Sequence, residues 1–147
     1  MVKWSIKKMN YKIIGKYIKK LDFNIPNPKT FFLLSKDISN YKINIDIKSN
    51  QVKQNIIEIF TTLKLNPNNN DFEKIDTKII FATIIELDSD KINKVEIEKI
   101  ILIEVPSKIY SELRQIFIFL FENSGFKDVK INESVDFEKL YRLKKVQ

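Results

Sequence analysis

Residues Tyr41-Lys42-Ile43-Asn44-Ile45-Asp46-Ile47-Lys48 alternate without a break between apolar and polar side chains. A period of two places the apolar four on one face of a strand and the polar four on the other, so the stretch can be buried on one side only. A Ser49-Asn50 turn is expected next, and Val52 to Leu65, rich in β-branched residues, should return antiparallel as the second half of a hairpin. Tyr11 to Ile25 shows a weaker alternation, with Ile13, Tyr17, Leu21, Phe23 and Ile25 on one face and Gly15 as the position for a bulge. Pro26 and Pro28 lack a backbone donor and end that strand, leaving a connector to about Asn40 that carries Phe31, Phe32, Leu33 and Leu34. Ile75 to Leu87 reads as a fourth strand, apolar on both faces over Ile79 to Ile85 and therefore expected at the centre of a sheet or covered from both sides.

Helical spacing takes over in the last third of the chain. Pro106 suits the first turn of a helix, and Gly125 after Ser124 suits its end. Ile109, Leu113, Ile116 and Leu120 share one face of that helix, while Tyr110, Phe117 and Phe121 lie on an adjoining one and Ile118 and Phe119 widen the stripe. One sheet covers one side of a helix, so a second copy of the chain is expected on the other, with Ile109, Leu113, Ile116, Phe117, Leu120 and Phe121 as the oligomer interface. Near the C-terminus, Phe137, Leu140 and Tyr141 recur at i, i+3 and i+4 in a short amphipathic helix, with Ser134 or Asp136 as its N-cap. Residues 91–105 receive no assignment. Strands followed by helices argue for an α+β fold on an antiparallel sheet, one domain over residues 11–147 behind a loose arm of residues 1–10.

Composition narrows the chemistry. The 147 residues include no Cys and no His, which excludes disulfides, thiolate catalysis, His-activated nucleophiles and the usual zinc sites. The two glycines, Gly15 and Gly125, cannot form a phosphate-cradling loop. Ser5-Ile6-Lys7-Lys8 matches a Ser-Lys spacing but lies in the arm, and the acidic pairs Asp88/Asp90 and Glu96/Glu98 lack the neighbours of a calcium loop or of an acid-base site. No enzyme activity, metal or cofactor is expected. The net charge of +7 invites a nucleic-acid reading, but 24 of the 26 basic residues are Lys, which lacks arginine's planar fork. Ile, Lys and Asn number 26, 24 and 14, and all have A/T-rich codons, so base composition accounts for the charge and no nucleic-acid partner is expected. No apolar run approaches the roughly 18 residues that cross a bilayer, and no secretory signal opens the chain, so a cytoplasmic protein without membrane insertion is expected. Apolar surface is what remains: Phe31 to Leu34, the Tyr41/Ile43/Ile45/Ile47 face and the Phe137/Leu140/Tyr141 helix are either ordinary core or a groove for apolar peptide segments.

Three segments together carry a family resemblance. Tyr17 to Pro28, YIKKLDFNIPNP, is similar to the first strand and proline-rich ending of the SecB family of bacterial protein-export chaperones. Asn40 to Ser49, NYKINIDIKS, is similar to the family's second strand, and Val135 to Tyr141, VDFEKLY, to its C-terminal motif, with Pro106 opening the helix between. The resemblance implies a four-stranded antiparallel sheet with the long helix and the short C-terminal helix on one side, assembled as a homotetramer that is a dimer of dimers. It also implies an ATP-independent holdase that binds unfolded preproteins and hands them to the SecA motor of the Sec translocation machinery. Carried onto this chain, the client groove would comprise Phe31, Phe32, Tyr41, Ile43, Ile45, Phe137, Leu140 and Tyr141. The family's acidic first-strand positions that receive SecA correspond to Lys20 and Asn24, and a fourth-strand glutamate falls near Thr83. The alternatives are a SecB-like chaperone of a toxin–antitoxin system and a lysine-rich nucleic-acid-binding protein.

Overall fold

The computed structural model describes residues 10–37, 41–67, 76–127 and 129–146. The expected arm of residues 1–10 therefore lies outside the described residues, apart from Asn10. Four strands, β1 (Tyr11–Asn24), β2 (Tyr41–Lys53), β3 (Ile56–Pro67) and β4 (Asp76–Leu87), form one antiparallel sheet in the order β1-β4-β3-β2. β4 lies between β1 and β3, in keeping with a run from Ile79 to Ile85 that is apolar on both faces. Helix α1 (Pro28–Asp37) follows β1; α2 (Lys94–Lys99), a π-helical segment (Ile100–Glu104) and α3 (Val105–Glu122) follow β4; α4 (Phe137–Val146) comes last.

The hairpin turn sits five residues later than Ser49-Asn50, at Gln54-Asn55, where Asn55 takes a φ of 66°. Asparagine tolerates that left-handed conformation, and its carbonyl accepts a hydrogen bond from the amide of Leu87 at 2.7 Å. Register explains the shift. A turn at Ser49-Asn50 would set Ile45 opposite Gln54, whereas the actual turn pairs Ile43 with Leu65, Ile45 with Leu63 and Ile47 with Thr61, odd with odd. Ile43, Ile45 and Ile47 of β2 then share the helix-covered face with Ile57, Ile59, Leu63 and Leu65 of β3, and a one-residue change of parity would turn the β2 isoleucines away from it.

In β1 the expected single face is broken twice. Register shifts between Ile13 and Gly15 and between Ile18 and Lys20 turn the strand over and back again. Ile13 and Phe23 thus share the helix side with Ile85 and Thr77, while Tyr17 stands on the open side opposite Ala82.

The Pro26-Asn27-Pro28 tripeptide starts a helix where a connector was expected. The Asn27 side chain accepts from the Thr30 amide at 2.8 Å as an N-cap, and Pro28 occupies the first helical position, where its missing N–H costs nothing. Leu34 and Thr30 then bury the inner side of α1.

The long helix also starts earlier than Pro106. Asn93 caps it by accepting from the Glu96 amide at 2.8 Å, and the helix runs from Lys94 to Glu122 through the π segment. There the Val105 amide reaches back five residues to the Ile100 carbonyl. The wider turn lies just ahead of Pro106, which has no N–H to offer Leu102 and whose ring crowds that carbonyl in a regular α-helix. At its far end, Phe126 donates to the Phe121 carbonyl at 3.1 Å and Gly125 to that of Glu122 at 3.3 Å. These bonds, with Gly125 at φ 94° and the Phe121 and Phe126 rings 5.5 Å apart, form a Schellman stop.

Beneath the helices the core divides into two clusters. Leu34, Leu63, Ile79, Phe81, Ile109, Leu113, Phe117, Phe121 and Phe126 make the larger; Tyr11, Ile57, Ile59, Ile85, Ile100 and Val105 make the other. Phe23 reaches the larger one edge-on against Phe121 at 5.1 Å. A Gly125→Ala change should test the helix stop. A Cβ there would meet the Phe31 ring at 3.3 Å on top of the left-handed backbone, so urea unfolding should show a loss of about 1–3 kcal/mol.

Candidate functional site

The helix-side face of β2 is left partly open. Ile43, Ile45 and Ile47 are half-buried, at every second residue, along an edge strand. Three connected clefts follow them. The first, about 320 Å3, is lined by Ile43, Asn44, Ile45, Tyr110, Asn132, Val135 and Leu140. The second, about 300 Å3, lies between Ile45, Asp46 and Ile47 on the strand and Leu102, Phe137, Leu140 and Tyr141 opposite. The third, about 350 Å3, runs from Ile47 and Ser49 to Lys94, Ile97, Glu98, Ile101 and Leu102. Ile45 and Leu140 belong to the first two clefts, Ile47 and Leu102 to the last two, so together they make one apolar groove along β2.

Each wall has a local cause. Asp136 caps α4 by accepting from the Lys139 amide at 3.0 Å, and the helix repeat then turns Phe137 and Tyr141 inward. Phe137 packs edge-on against Tyr110 with ring centres 6.1 Å apart, which leaves Leu140, 46% exposed, at the rim. Ahead of α4, the Tyr110 hydroxyl donates to the Asn132 carbonyl at 2.7 Å and Arg114 to the Ile131 carbonyl at 3.0 Å, strapping the connecting chain to α3. On the opposite wall, the π segment presents Ile101 and Leu102 to the groove while Ile100 stays buried.

Five of the eight expected client-binding residues, Ile43, Ile45, Phe137, Leu140 and Tyr141, line this groove. Tyr41 opens β2, but its side chain is outside the described residues. Phe31 and Phe32 line none of the three clefts. Phe31 stacks on Phe126 at 4.8 Å beside the large core cluster, and Phe32, 64% exposed, meets Phe31 edge-on. Leu102, Ile97 and Ile101 are groove residues that sequence reasoning missed; the Asn93 cap followed by Glu96 was their signal.

Most of the residues expected at an oligomer interface are taken up inside a single chain. Ile109, Leu113, Phe117 and Phe121 are at most 1% exposed within a single chain, because the sheet takes that face of α3. Ile116 and Leu120 are partly exposed, and Phe119, between them in sequence, is 63% exposed.

On the helix-free face of the sheet, Lys20 stands opposite Ile80 with its ammonium 3.5 Å from Asp22, and Asn24 stands opposite Asp76. Thr83, in contrast, is fully buried on the helix side, so Ile80, Ala82 and Ile84 are the β4 residues on the outer face. There too Lys19 caps the Phe60 ring at 4.0 Å, the Tyr17 hydroxyl donates to Glu58, and Lys12 pairs with Glu86 at 3.1 Å. Among the described residues, no group of three acidic side chains is placed to hold a metal ion, and no helix is long and apolar enough to cross a membrane.

A helix-covered antiparallel sheet with an open apolar groove along one edge strand defines the class of α+β protein to which this chain belongs. Residues 5–147 match the family model of the preprotein translocase subunit SecB, and the chain belongs to the SecB family. It is 40% identical over 133 residues to a putative protein-export protein SecB of Pelagibacter ubique, covering 90% of this chain and 95% of that one. The protein-export protein SecB of Rhodospirillum rubrum is 29% identical over 135 residues, 88% and 79% of the two chains. The fold is shared with a SecB-like chaperone of Mycobacterium tuberculosis, solved with a ChAD peptide from the HigA1 antitoxin. The TM-score is 0.51 at 9% identity, over 84% of this chain and 90% of that one.

Tyr110 gives the site a pH signature. Burial holds its phenol above the ordinary value of 10.0, against the opposing pull of the Arg114 charge. A raised native value favours the neutral phenol, so its contribution is complete below the unfolded value and is lost as pH climbs through the native one. Denaturant unfolding measured from about pH 9 to about pH 11 should lose less stability in Tyr110→Phe than in the parent. Tyr17, raised by its bond to Glu58, keeps a remainder of the same sign.

Proposed function

We propose that this chain is an ATP-independent export chaperone that holds unfolded preproteins in the β2 groove and passes them to the SecA/Sec machinery from the cytoplasm. The observation that carries the reading is the continuous groove from Ile43 to Ser49, walled by Leu102, Phe137, Leu140 and Tyr141. Its apolar side chains remain half in water, and covering them with client side chains returns about 25 cal/mol per Å2. That reward depends on area more than on sequence, which suits a protein meeting many different unfolded chains. Several such grooves in one assembly would raise avidity without any new contact. Membership of the SecB family and the likeness to a peptide-bound chaperone support the reading. The working unit is proposed to be a homotetramer, a dimer of dimers, in which Ile116, Phe119 and Leu120 of α3 supply the apolar surface between copies.

Light scattering at low micromolar concentration should give about 70 kDa, four times the chain mass of 17.5 kDa. The same sample, without ATP, should suppress aggregation of a reduced, unfolded precursor. Leu140→Asp, placed at the exposed rim where the fold tolerates it, should weaken holding about tenfold, the worth of burying one leucine. A chain that leaves aggregation unchanged sinks the chaperone reading.

A further inference from the structure

We infer that the helix-free face of the sheet is a docking surface for an acidic peptide segment that also carries apolar side chains. This face lies across the sheet from the groove, and the inference does not depend on what the groove holds.

Strand register sets the charges of the face. Lys64 of β3 stands directly opposite Lys78 of β4, and both point away from the helices, because Leu63 and Ile79 beside them are buried in the core. Side chains opposed in this way have Cβ atoms about 5 Å apart, so two ammonium groups are held side by side at a cost to the fold. One row along the same face, Lys20 stands opposite Ile80, with Lys19 beside it at the register shift. In the next row Lys48 of β2 stands opposite Phe60. Two carboxylates lie among these five lysines, Asp22 opposite Lys78 and Asp46 opposite Thr62, so the cluster keeps a net charge of +3. Asp22 is drawn to Lys20, 3.5 Å away, whereas Lys48, Lys64 and Lys78 make no ion pair among the described residues.

The same sheet shows the alternative. Farther along this face Lys12 stands opposite Glu86 and pairs with it at 3.1 Å, the arrangement that steadies two strands. Opposed lysines do the reverse until an anion lies between them. Lys20, moreover, stands where the family resemblance implies an acidic side chain, so the partner this face suits has the opposite charge.

Apolar surface beside the cluster narrows the chemistry. Tyr17 and Ile14, 43% and 47% exposed, lie along β1 next to the half-buried Ile80 and Ile84. An acidic peptide bearing a few apolar side chains can use both parts of the face. A nucleic acid fits it less well, since bases need free ring faces and phosphates favour arginine forks. The Phe60 ring already carries the Lys19 ammonium at 4.0 Å, the Tyr17 hydroxyl is bound to the Glu58 carboxylate, and the cluster contains no arginine.

Three fluorescein-labelled probes titrated against the full chain by anisotropy test the inference: a peptide of mixed Glu and Leu, the same peptide with Lys for every Glu, and a single-stranded RNA of matched negative charge. The acidic peptide should bind at least about tenfold more tightly than the basic one, and less tightly as salt rises from about 50 to about 200 mM. Replacing both opposed lysines, Lys64→Gln with Lys78→Gln, should weaken the acidic peptide about tenfold. The urea midpoint of that variant should stay level or rise, because the repulsion is gone; lysines that served only the fold would lower it. Leu140→Asp, on the groove, should leave acidic-peptide binding intact. Equal affinity for the two peptides, acidic binding untouched by the lysine changes, or its loss in Leu140→Asp overturns the inference and leaves the chaperone reading standing. RNA bound more tightly than the acidic peptide overturns it in favour of a nucleic-acid surface.

Discussion

The Gln54-Asn55 turn pairs β2 with β3 odd to odd, and the groove depends on that parity. Ile43, Ile45 and Ile47 fall on the face that also carries Leu63, Leu65, Ile57 and Ile59, so helices packing on the buried residues of β3 overhang the isoleucines of β2. Because β2 is the edge, the overhang is incomplete. The two central strands are sealed, with Ile59, Leu63, Ile79 and Ile85 at most 1% exposed, while the edge strand stays half covered. A sheet whose apolar faces extend one strand beyond its helical cover must leave a cleft there, and α4 closes that cleft to a groove without filling it.

The path of the long helix supplies the other wall. Lys94 to Glu122 forms one continuous rod whose π segment inserts an extra residue into its turn. An added residue rotates everything before it by about 100° relative to everything after it. Ile100 and Val105 therefore both reach the smaller core cluster, although five residues separate them, and Leu102 is turned to the groove. Pro106 suits this arrangement because a regular α-helical turn would leave the Leu102 carbonyl without its donor. Segments of this kind are poorer in regular hydrogen bonds than the helices around them and persist where packing on both sides holds them in place.

The sheet was legible from the chain because its signals are local. Alternation in Tyr41 to Lys48 marked a strand buried on one face, and the two-faced run from Ile79 to Ile85 one at the centre of a sheet or covered from both sides; the structure puts them at the edge and in the interior. The hairpin turn was not, since Ser49, Asn50 and Gln51 are as turn-like as Gln54 and Asn55; only the pairing of distant isoleucines with Leu63 and Leu65 decides between them. Residues 94–105 hid for a related reason: the five-residue step from Ile100 to Val105 breaks the helical repeat. For α1 the signal was present in Asn27-Pro28, an N-cap followed by proline at the first helical position, but it reads equally well as the end of β1. The site was half legible. Phe137, Leu140 and Tyr141 follow from spacing, whereas the separation of Phe31 and Phe32 from the groove depends on where Phe126 lies after the Gly125 stop.

A groove left open carries a cost, and the chain offsets it elsewhere. Each half-exposed isoleucine forfeits about 1 kcal/mol relative to full burial, and an edge strand with an apolar face invites pairing between copies. The opposite face of β2 carries Asn44, Asp46 and Lys48, all exposed, and the strand ends in Asn50, Gln51 and Lys53. A strand with charge on one face and isoleucine on the other can accept a client over the groove but stacks poorly on its own copy, because bringing two such edges together in register sets like charges beside one another. On the helix-free face, Lys19 lies across the Phe60 ring and Lys12 pairs with Glu86, so that side of the sheet is screened by polar groups. Exposed apolar side chains remain at Leu140 beside the groove, at Phe119 on the outer side of α3, at Phe32 of α1 and along β1 at Ile14, Tyr17, Ile18 and Leu21, so the edge strand β2 is protected by its own charged face and not by a scarcity of apolar surface elsewhere.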